Sequence, residues 1–314
     1  MWCRASGMTP ETLRGLQSNF KCFVTWAREQ DGAASEGVTA IEQLTPDLFL
    51  AYQQELTFRL NRVGRPITIA TQVKHLAALR QWGRYLVEQD FLMSNPARWI
   101  KLPRVPKSLP RVIPNLKEAV RLVECRTGWN GYGDSDNRAS FLIYRNRAIL
   151  ELLYSTGLRR GEVAHLRACD LDLVGGYVWV RQGKGRKDRV VPLGQMAITA
   201  LTIYLDAVRP SMYKGEKADF LFLNKWGSGL SGAGIYQMVK QAVVKAKLSR
   251  KITTHSLRHA AATHMLQNGA PIRHLQEFLG HASMETTQVY TRVTITDLKA
   301  THAKYHPREA MGNG

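Results

Sequence analysis

The sequence predicts a mainly α-helical protein of two domains, with a small antiparallel β-sheet or hairpin in the second. Three observations carry this expectation. Apolar residues recur at helical spacing through the first hundred positions, a proline-rich basic stretch interrupts them between Asn95 and Pro114, and β-branched and aromatic runs flank a glycine-containing turn further on. At 314 residues, 44% of them hydrophobic, the chain is long enough for two cores. The boundaries drawn are a helical domain over 1–94, a linker over 95–114 and a second domain over 115–314, with a tail from about 293.

Thr9-Pro10-Glu11 reads as an N-cap followed by proline at the first helical position, and Leu13, Leu16, Phe20 and Phe23 follow at helical spacing. Thr45-Pro46-Asp47 repeats that signal ahead of Leu48, Tyr52 and Leu56. A third helix starts near Thr68, with Ile69, Val73, Leu76 and Leu79 inward and Lys74, Arg80 and Arg84 outward. Prolines in the linker remove backbone donors and favour extended chain, so no helix is expected there. Its Lys101, Arg104, Lys107 and Arg111 stand without an acidic residue among them, which suits a segment lying along phosphates.

The second domain opens with a helix from Leu116 to about Arg126, followed by a loop within Thr127 to Ala139 and an apolar helix around Ala148 to Tyr154. In STGLRRGEVAHL, Gly157 ends one helix and Arg159 starts another built on Val163 and Leu166. Tyr177 to Val180 and Val190-Val191 flank GKGRKD as a hairpin, and helical spacing returns from Gln195 to Val208 and from Gly234 to Lys247. Thr254 to Tyr290 divides into three short helices. Ser256 caps the first, which stops near Gly269; Pro271 opens the second, whose Ile272, Leu275 and Leu279 face a core before Gly280; Ser283 caps the third, which carries Tyr290 near its end.

The formal charge of +19 comes from Lys and Arg spread along the whole length, so nucleic acid is the natural partner. No apolar run reaches spanning length and no signal-peptide core follows Met1, so no membrane partner is expected and the location is taken as cytoplasmic. Cys3, Cys22, Cys125 and Cys169 lack C-x-x-C pairing; neither a metal site nor a disulfide framework is expected, and they read as reduced and structural.

Arg159, Lys184, His255, Arg258, His281 and Tyr290 are the unusual polar residues of the second domain, set at helix ends, early turns and a hairpin turn. With them come no paired carboxylates at metal-ligand spacing, no G-x-x-x-x-G-K-[ST] loop and no G-x-S-x-G elbow, which argues against a two-metal nuclease, an NTPase and a serine hydrolase. Metal-free attack on a phosphodiester fits, with neither cofactor nor small-molecule substrate. Arginine guanidinium groups stay ionised and grip two oxygens at once, so Arg159 and Arg258 suit the charge that grows on the phosphate. A tyrosine hydroxyl, with a reference pKa of ~10, needs nearby cations and an imidazole to become a nucleophile, and Tyr290 suits that role. Lys184 suits protonation of the leaving 5′-oxygen, with Lys187 in the same turn as its competitor. Because a covalent phosphotyrosine keeps the bond energy, rejoining needs no ATP, and reversal onto another strand is recombination. His165, His259 and His264 read as packing or surface residues.

TGLRRGE, GKGRKDR, HSLRH, LGH and a tyrosine nine residues beyond His281 resemble the tyrosine recombinases, the phage-integrase and Xer family, over nearly the entire second domain. The resemblance implies that Arg159 is the first catalytic arginine, Lys184 the hairpin lysine, His255 and Arg258 the H-x-x-R pair, His281 the second histidine and Tyr290 the nucleophile of a 3′-phosphotyrosine intermediate. Glu162 resembles an acidic residue that supports the site. The helical bundle looks like the family's core-binding domain, and the two domains are expected to clamp double-stranded DNA as a C. DLKATHAKYHPREA resembles Xer C-termini that dock on a neighbouring subunit, implying a homo-tetramer on two recombination sites, alone or with a related recombinase. A type IB topoisomerase shares the chemistry but uses it on one duplex; the Xer-like tail and two-domain length count against it. A DNA-binding protein without catalysis is the other alternative, and six filled positions count against that. The loop near Thr127 to Ala139 and the lack of a separate arm-binding domain lean towards a mobile-element recombinase over Xer-type dimer resolution. No motif marks base-reading side chains.

Overall fold

The computed structural model describes residues 8, 10–29, 43–61, 63–105, 112–125, 137–181, 188–212, 219–280 and 295–310. Contacts divide the chain into two units, Met1–Ser108 and Leu109–Gly314.

The first unit is built on α1 (Pro10–Glu29), α2 (Pro46–Phe58) and α3 (Ile69–Glu88). Thr45 and Thr68 cap the latter two, each side chain accepting from a backbone N–H three residues on. Aromatic rings fill the core: Phe23 stacks on Phe49 with centroids 4.9 Å apart and meets Tyr52 edge-on at 5.1 Å. Leu76 and Leu79 are inward as expected, but Ile69 sits in the first turn and is 38% exposed. Lys74, Arg80 and Arg84 are exposed.

Where extended chain was expected from Asn95, the structure differs. Asn95 accepts a hydrogen bond from Ala97 N and starts a 3₁₀ turn, Pro96–Trp99, with proline at the position where no donor is needed. Ala97 and Ile100 belong to the first unit's core. Gly83 makes this possible, because any side chain there would overlap the Asn95 amide. Lys101 to Val105 carry no helix, and Lys107 and Arg111 lie outside the described residues.

The second unit contains α4 (Leu116–Val123), α5 (Asn137–Thr156), α6 (Arg160–His165), β1 (Leu171–Asp172), β2 (Tyr177–Val180) and β3 (Arg189–Pro192). After these come α7 (Gln195–Ile203), a π-helical turn (Tyr204–Val208), α8 (Arg209–Met212), α9 (Gly232–Lys245), α10 (Thr254–Gln267) and α11 (Ile272–Leu279). The described chain closes with α12 (Ile295–Tyr305) and α13 (Pro307–Ala310). The apolar run of α5 is wholly buried from Ala148 to Tyr154, and α4, α7 and α10 pack around it. The three strands form one antiparallel sheet in order β1-β2-β3, with Val178 opposite Val191 and Val180 opposite Arg189. β1 was not anticipated; two residues are too few for alternation to register.

Two further expectations are corrected here. Thr253, not Ser256, caps α10: its side chain accepts from Ser256 N while Ser256 Oγ accepts from Thr253 N, a reciprocal box that starts the helix three residues earlier. On α11, Leu275, Phe278 and Leu279 are buried but Ile272 is 64% exposed, since it lies in the first turn beyond the apolar stripe. Ser283 and the helix expected around Tyr290 lie outside the described residues. Cys22, Cys125 and Cys169 carry free thiols, and Cys169 is exposed, so it is not a packing residue.

The C-terminal segment, expected at subunit contacts, is over 295–310 part of its own unit. Leu298, Thr301, His302, His306 and Arg308 are buried. A ring nitrogen of His302 bonds the Ser155 carbonyl at 2.8 Å, one of His306 bonds the Tyr154 carbonyl at 3.2 Å, and Arg308 pairs with Glu151 at 2.6 Å and Glu124 at 2.8 Å. Burial keeps both imidazoles neutral, that of His302 pushed down to about 4.

Candidate active site

Gly157 ends α5 with φ +59°, a backbone region that favours glycine, and a side chain there would press on Leu279. The reversal brings Arg159 to the N-cap of α6, two residues beyond that break. From there its guanidinium Nη1 reaches Glu162 Oε1 at 3.0 Å and its Nη2 reaches the Gly280 carbonyl at 3.4 Å.

Arg258 arrives from α10. Its Nη1 donates to the Gly157 carbonyl and its Nη2 to the Leu279 carbonyl, both at 2.5 Å. Leu279 and Gly280 are consecutive at the end of α11, where carbonyls lack intrahelical partners and carry the negative end of the helix dipole. Two arginines from distant parts of the chain are therefore fastened to one turn, and that turn leads directly into His281. Burial, then the neighbouring cations Arg159 and Arg189, push the Arg258 guanidinium down to about 10, so it stays charged at neutral pH.

Glu162 is the hub beneath this pair. Both its oxygens are forked by Arg189 at 3.0 and 2.9 Å, and it also accepts from Arg159 N at 2.8 Å. Burial pushes its carboxyl up, but the hydrogen bonds and charges of Arg189 and Arg159 outweigh burial and hold it below the usual carboxylate range. Arg189 was missed by the sequence reading. It closes the quoted GKGRKDR motif, yet nothing in its 27-residue separation from Glu162 marks the contact.

His255 lies on α10 three residues before Arg258, on the same face, and is exposed. Its Nε2 lies 3.0 Å from His259 Nε2, with the rings edge to face. His259, expected only to pack or face solvent, is thus bonded to a candidate residue. His264 is buried on Tyr154 Oη at 2.9 Å, and His165 bonds the Gly161 carbonyl at 2.7 Å; both fit their expected roles. Lys184, Lys187, His281 and Tyr290 lie outside the described residues. The described ends of their segments do meet: Gly280, φ +62°, backs onto Arg189 so closely that a side chain there would come within 3.0 Å of it.

In the first unit, Arg80 and Arg84 of α3 and Arg98 of the 3₁₀ turn line a shallow concavity of ≈ 360 Å³ with Ala77, Asn95 and Leu102. Arg98 stacks over Trp99 at 4.6 Å. None of these three arginines has a carboxylate partner among the described residues. Lys74, Lys101 and Arg104 are exposed on the same unit.

The sequence pattern described as the phage integrase family matches residues 135–296. The chain is 36% identical over 302 residues to tyrosine recombinase XerC 2 of Ralstonia nicotianae, covering 96% of this chain and 82% of that one. It is 37% identical over 235 residues to tyrosine recombinase XerD of Staphylococcus epidermidis, covering 75% of this chain and 76% of that one. Among solved structures, the Tn1549 transposon integrase in complex with a circular intermediate DNA shares the fold, with a TM-score of 0.62 at 16% identity over 99% of this chain and 96% of that one.

Proposed function

The chain belongs to the phage integrase family of tyrosine recombinases and is a site-specific DNA recombinase, and we propose that it cuts and rejoins strands through a bond between Tyr290 and a 3′-phosphate. In this reading the Tyr290 hydroxyl gives up its proton and its oxygen bonds phosphorus as the 5′-oxygen leaves. Lys184 protonates that oxygen. Arg159 and Arg258 hold the two non-bridging oxygens while charge accumulates there, and His255 and His281 move the nucleophile's proton. Attack by the 5′-hydroxyl of another strand reverses the step and frees Tyr290. The observation that supports this reading most is the fastening of Arg159 and Arg258 to the turn that precedes His281.

The partner is proposed to be double-stranded DNA carrying two recombination sites, held by a homo-tetramer, with Lys74, Arg80, Arg84, Lys101, Arg104, Lys107 and Arg111 on its phosphates. Tail exchange between subunits would release the Arg308 to Glu151 pair in one unit and remake it in the next. Xer-type resolution and mobile-element recombination would both use this chemistry; the named relatives are Xer recombinases, and the long loop suggested a mobile element.

Covalent capture tests the chemistry. The protein is incubated with a random-sequence duplex library, denatured, and digested, and the DNA-bearing peptide is identified. DNA attached through its 3′ end to the peptide containing Tyr290 is expected, and sequencing the trapped strand reads the site. No adduct, or attachment at another residue, overturns the assignment. Binding should also be strongly salt-dependent: contact with ~6 to 10 phosphates implies an affinity loss of about 10³ to 10⁵ between roughly 50 and 200 mM salt. Fluorescence anisotropy of a labelled duplex measures it, and a flat response contradicts the phosphate contacts.

A further inference from the structure

Glu162 accepts from two guanidinium groups that it does not treat alike. Arg189 takes the full fork, one oxygen to each terminal nitrogen, while Arg159 touches the carboxylate through Nη1 alone. Exposure follows the same division: the side chain of Arg159 is 31% exposed, that of Arg189 14% and that of Glu162 8%. One cation faces in and one faces out. Bidentate pairing is the strongest arrangement open to arginine and a carboxylate, so a buried Glu162 with Arg159 as its only cation would draw that guanidinium into the fork. Arg159 would then lose its outward orientation, and the carboxylate would offset its charge.

We propose that Arg189 is a positioning residue: by occupying both oxygens of Glu162, it keeps Arg159 turned outward with its charge available to the scissile phosphate. The inference rests on the recombinase reading above. Arg189 also underlies Gly280, the residue whose carbonyl takes the other Nη of Arg159. Among the described residues its buried Nε has no partner, and the polar contacts of this side chain there go to Glu162. Among the described residues of this cluster, the three guanidinium charges of Arg159, Arg189 and Arg258 against the carboxylate of Glu162 leave two positive charges, and the Arg189 to Glu162 pairing assigns those two to Arg159 and Arg258.

The test compares full-length variants on the duplex that wild type captures covalently, reading single-turnover cleavage and binding of that same duplex. Arg189→Met should cleave about 10- to 100-fold more slowly, a loss in the range of coupled neighbours, and bind within about twofold of wild type. Glu162→Gln, which removes the competing charge, should lose only a few-fold. The double variant Arg189→Met/Glu162→Gln should return to within about threefold of Glu162→Gln, since no carboxylate remains to capture Arg159. Should Arg189→Met lose binding through misfolding, Arg189→Gln carries the same comparison. A double variant as slow as Arg189→Met, or an Arg189→Met that cleaves like wild type, overturns the inference while leaving the recombinase reading standing. Wild type that captures no duplex overturns that reading instead.

Discussion

An Arg258→Ala protein is expected to cleave its site about 10² to 10³ times more slowly than wild type, the loss that follows removal of one preorganised donor to an accumulating oxyanion. Arg258 is 5% exposed, so its charge acts in a poorly screened setting. Two of its five N–H groups go to the carbonyls of Gly157 and Leu279, and among the described residues the remaining three meet no acceptor, which leaves them to grip a phosphate while the side chain stays clamped. Binding of the duplex should change little, because one phosphate contact among many is lost. Alanine also strips two backbone carbonyls of their donor, so Arg258→Lys provides the control for folding. Lysine keeps the charge but cannot span both carbonyls, and its cleavage rate should fall between those of wild type and alanine. The measurement is single-turnover adduct formation with DNA affinity recorded in parallel. An Arg258→Ala protein that binds DNA and cleaves within about threefold of wild type would remove Arg258 from the catalytic set.

How much of this site was legible depends on the range of the signal. Gly157 followed by Arg159 is a local pattern, and the structure places both at the helix ends that the spacing implied, whereas His255, expected just ahead of a Ser256 cap, lies inside the first turn of α10 three residues before Arg258. Local ambiguity explains the misplaced cap: Thr253 and Ser256 are both good cap formers three residues apart, and only their reciprocal hydrogen bonds decide which starts the helix. Asn95 to Ile100 was read as linker because prolines hide a short 3₁₀ turn, and the room it needs comes from Gly83 on another element. Arg189 carries no periodicity at all. It is one base in a run of bases, and its partner becomes apparent only when β3 is folded against α6. The docking of 295–310 was equally hidden, since the groups it buries include Thr301, His302, His306 and Arg308, which apolar patterning does not count.

That docking leads to the largest stability effect expected. Arg308→Ala should destabilise the second unit by ~3 to 5 kcal/mol, a large share of the ~5 to 15 kcal/mol that holds an ordinary domain together. Glu151 is 1% exposed, and burial already outweighs the attraction of Arg308 and lifts its carboxyl above the usual range. Without Arg308 that carboxyl must either stay charged and unpaired in the core or bind a proton, and both routes cost stability at neutral pH. Glu151→Gln should cost less, because Arg308 keeps its bond to Glu124, whose side chain is half exposed. The pair is not the best solution in energy terms. Replacing both partners with apolar residues, Arg308→Met with Glu151→Leu, should recover most of the loss, since no charge is then left in the core. Urea unfolding of the three variants measures the ordering. Arg308→Ala within about 1 kcal/mol of wild type would show that 295–310 is not held to its own unit by this pair. The same segment follows directly on the stretch holding His281 and Tyr290, so a weakened Arg308 should also slow adduct formation, and the double replacement should restore it in step with stability.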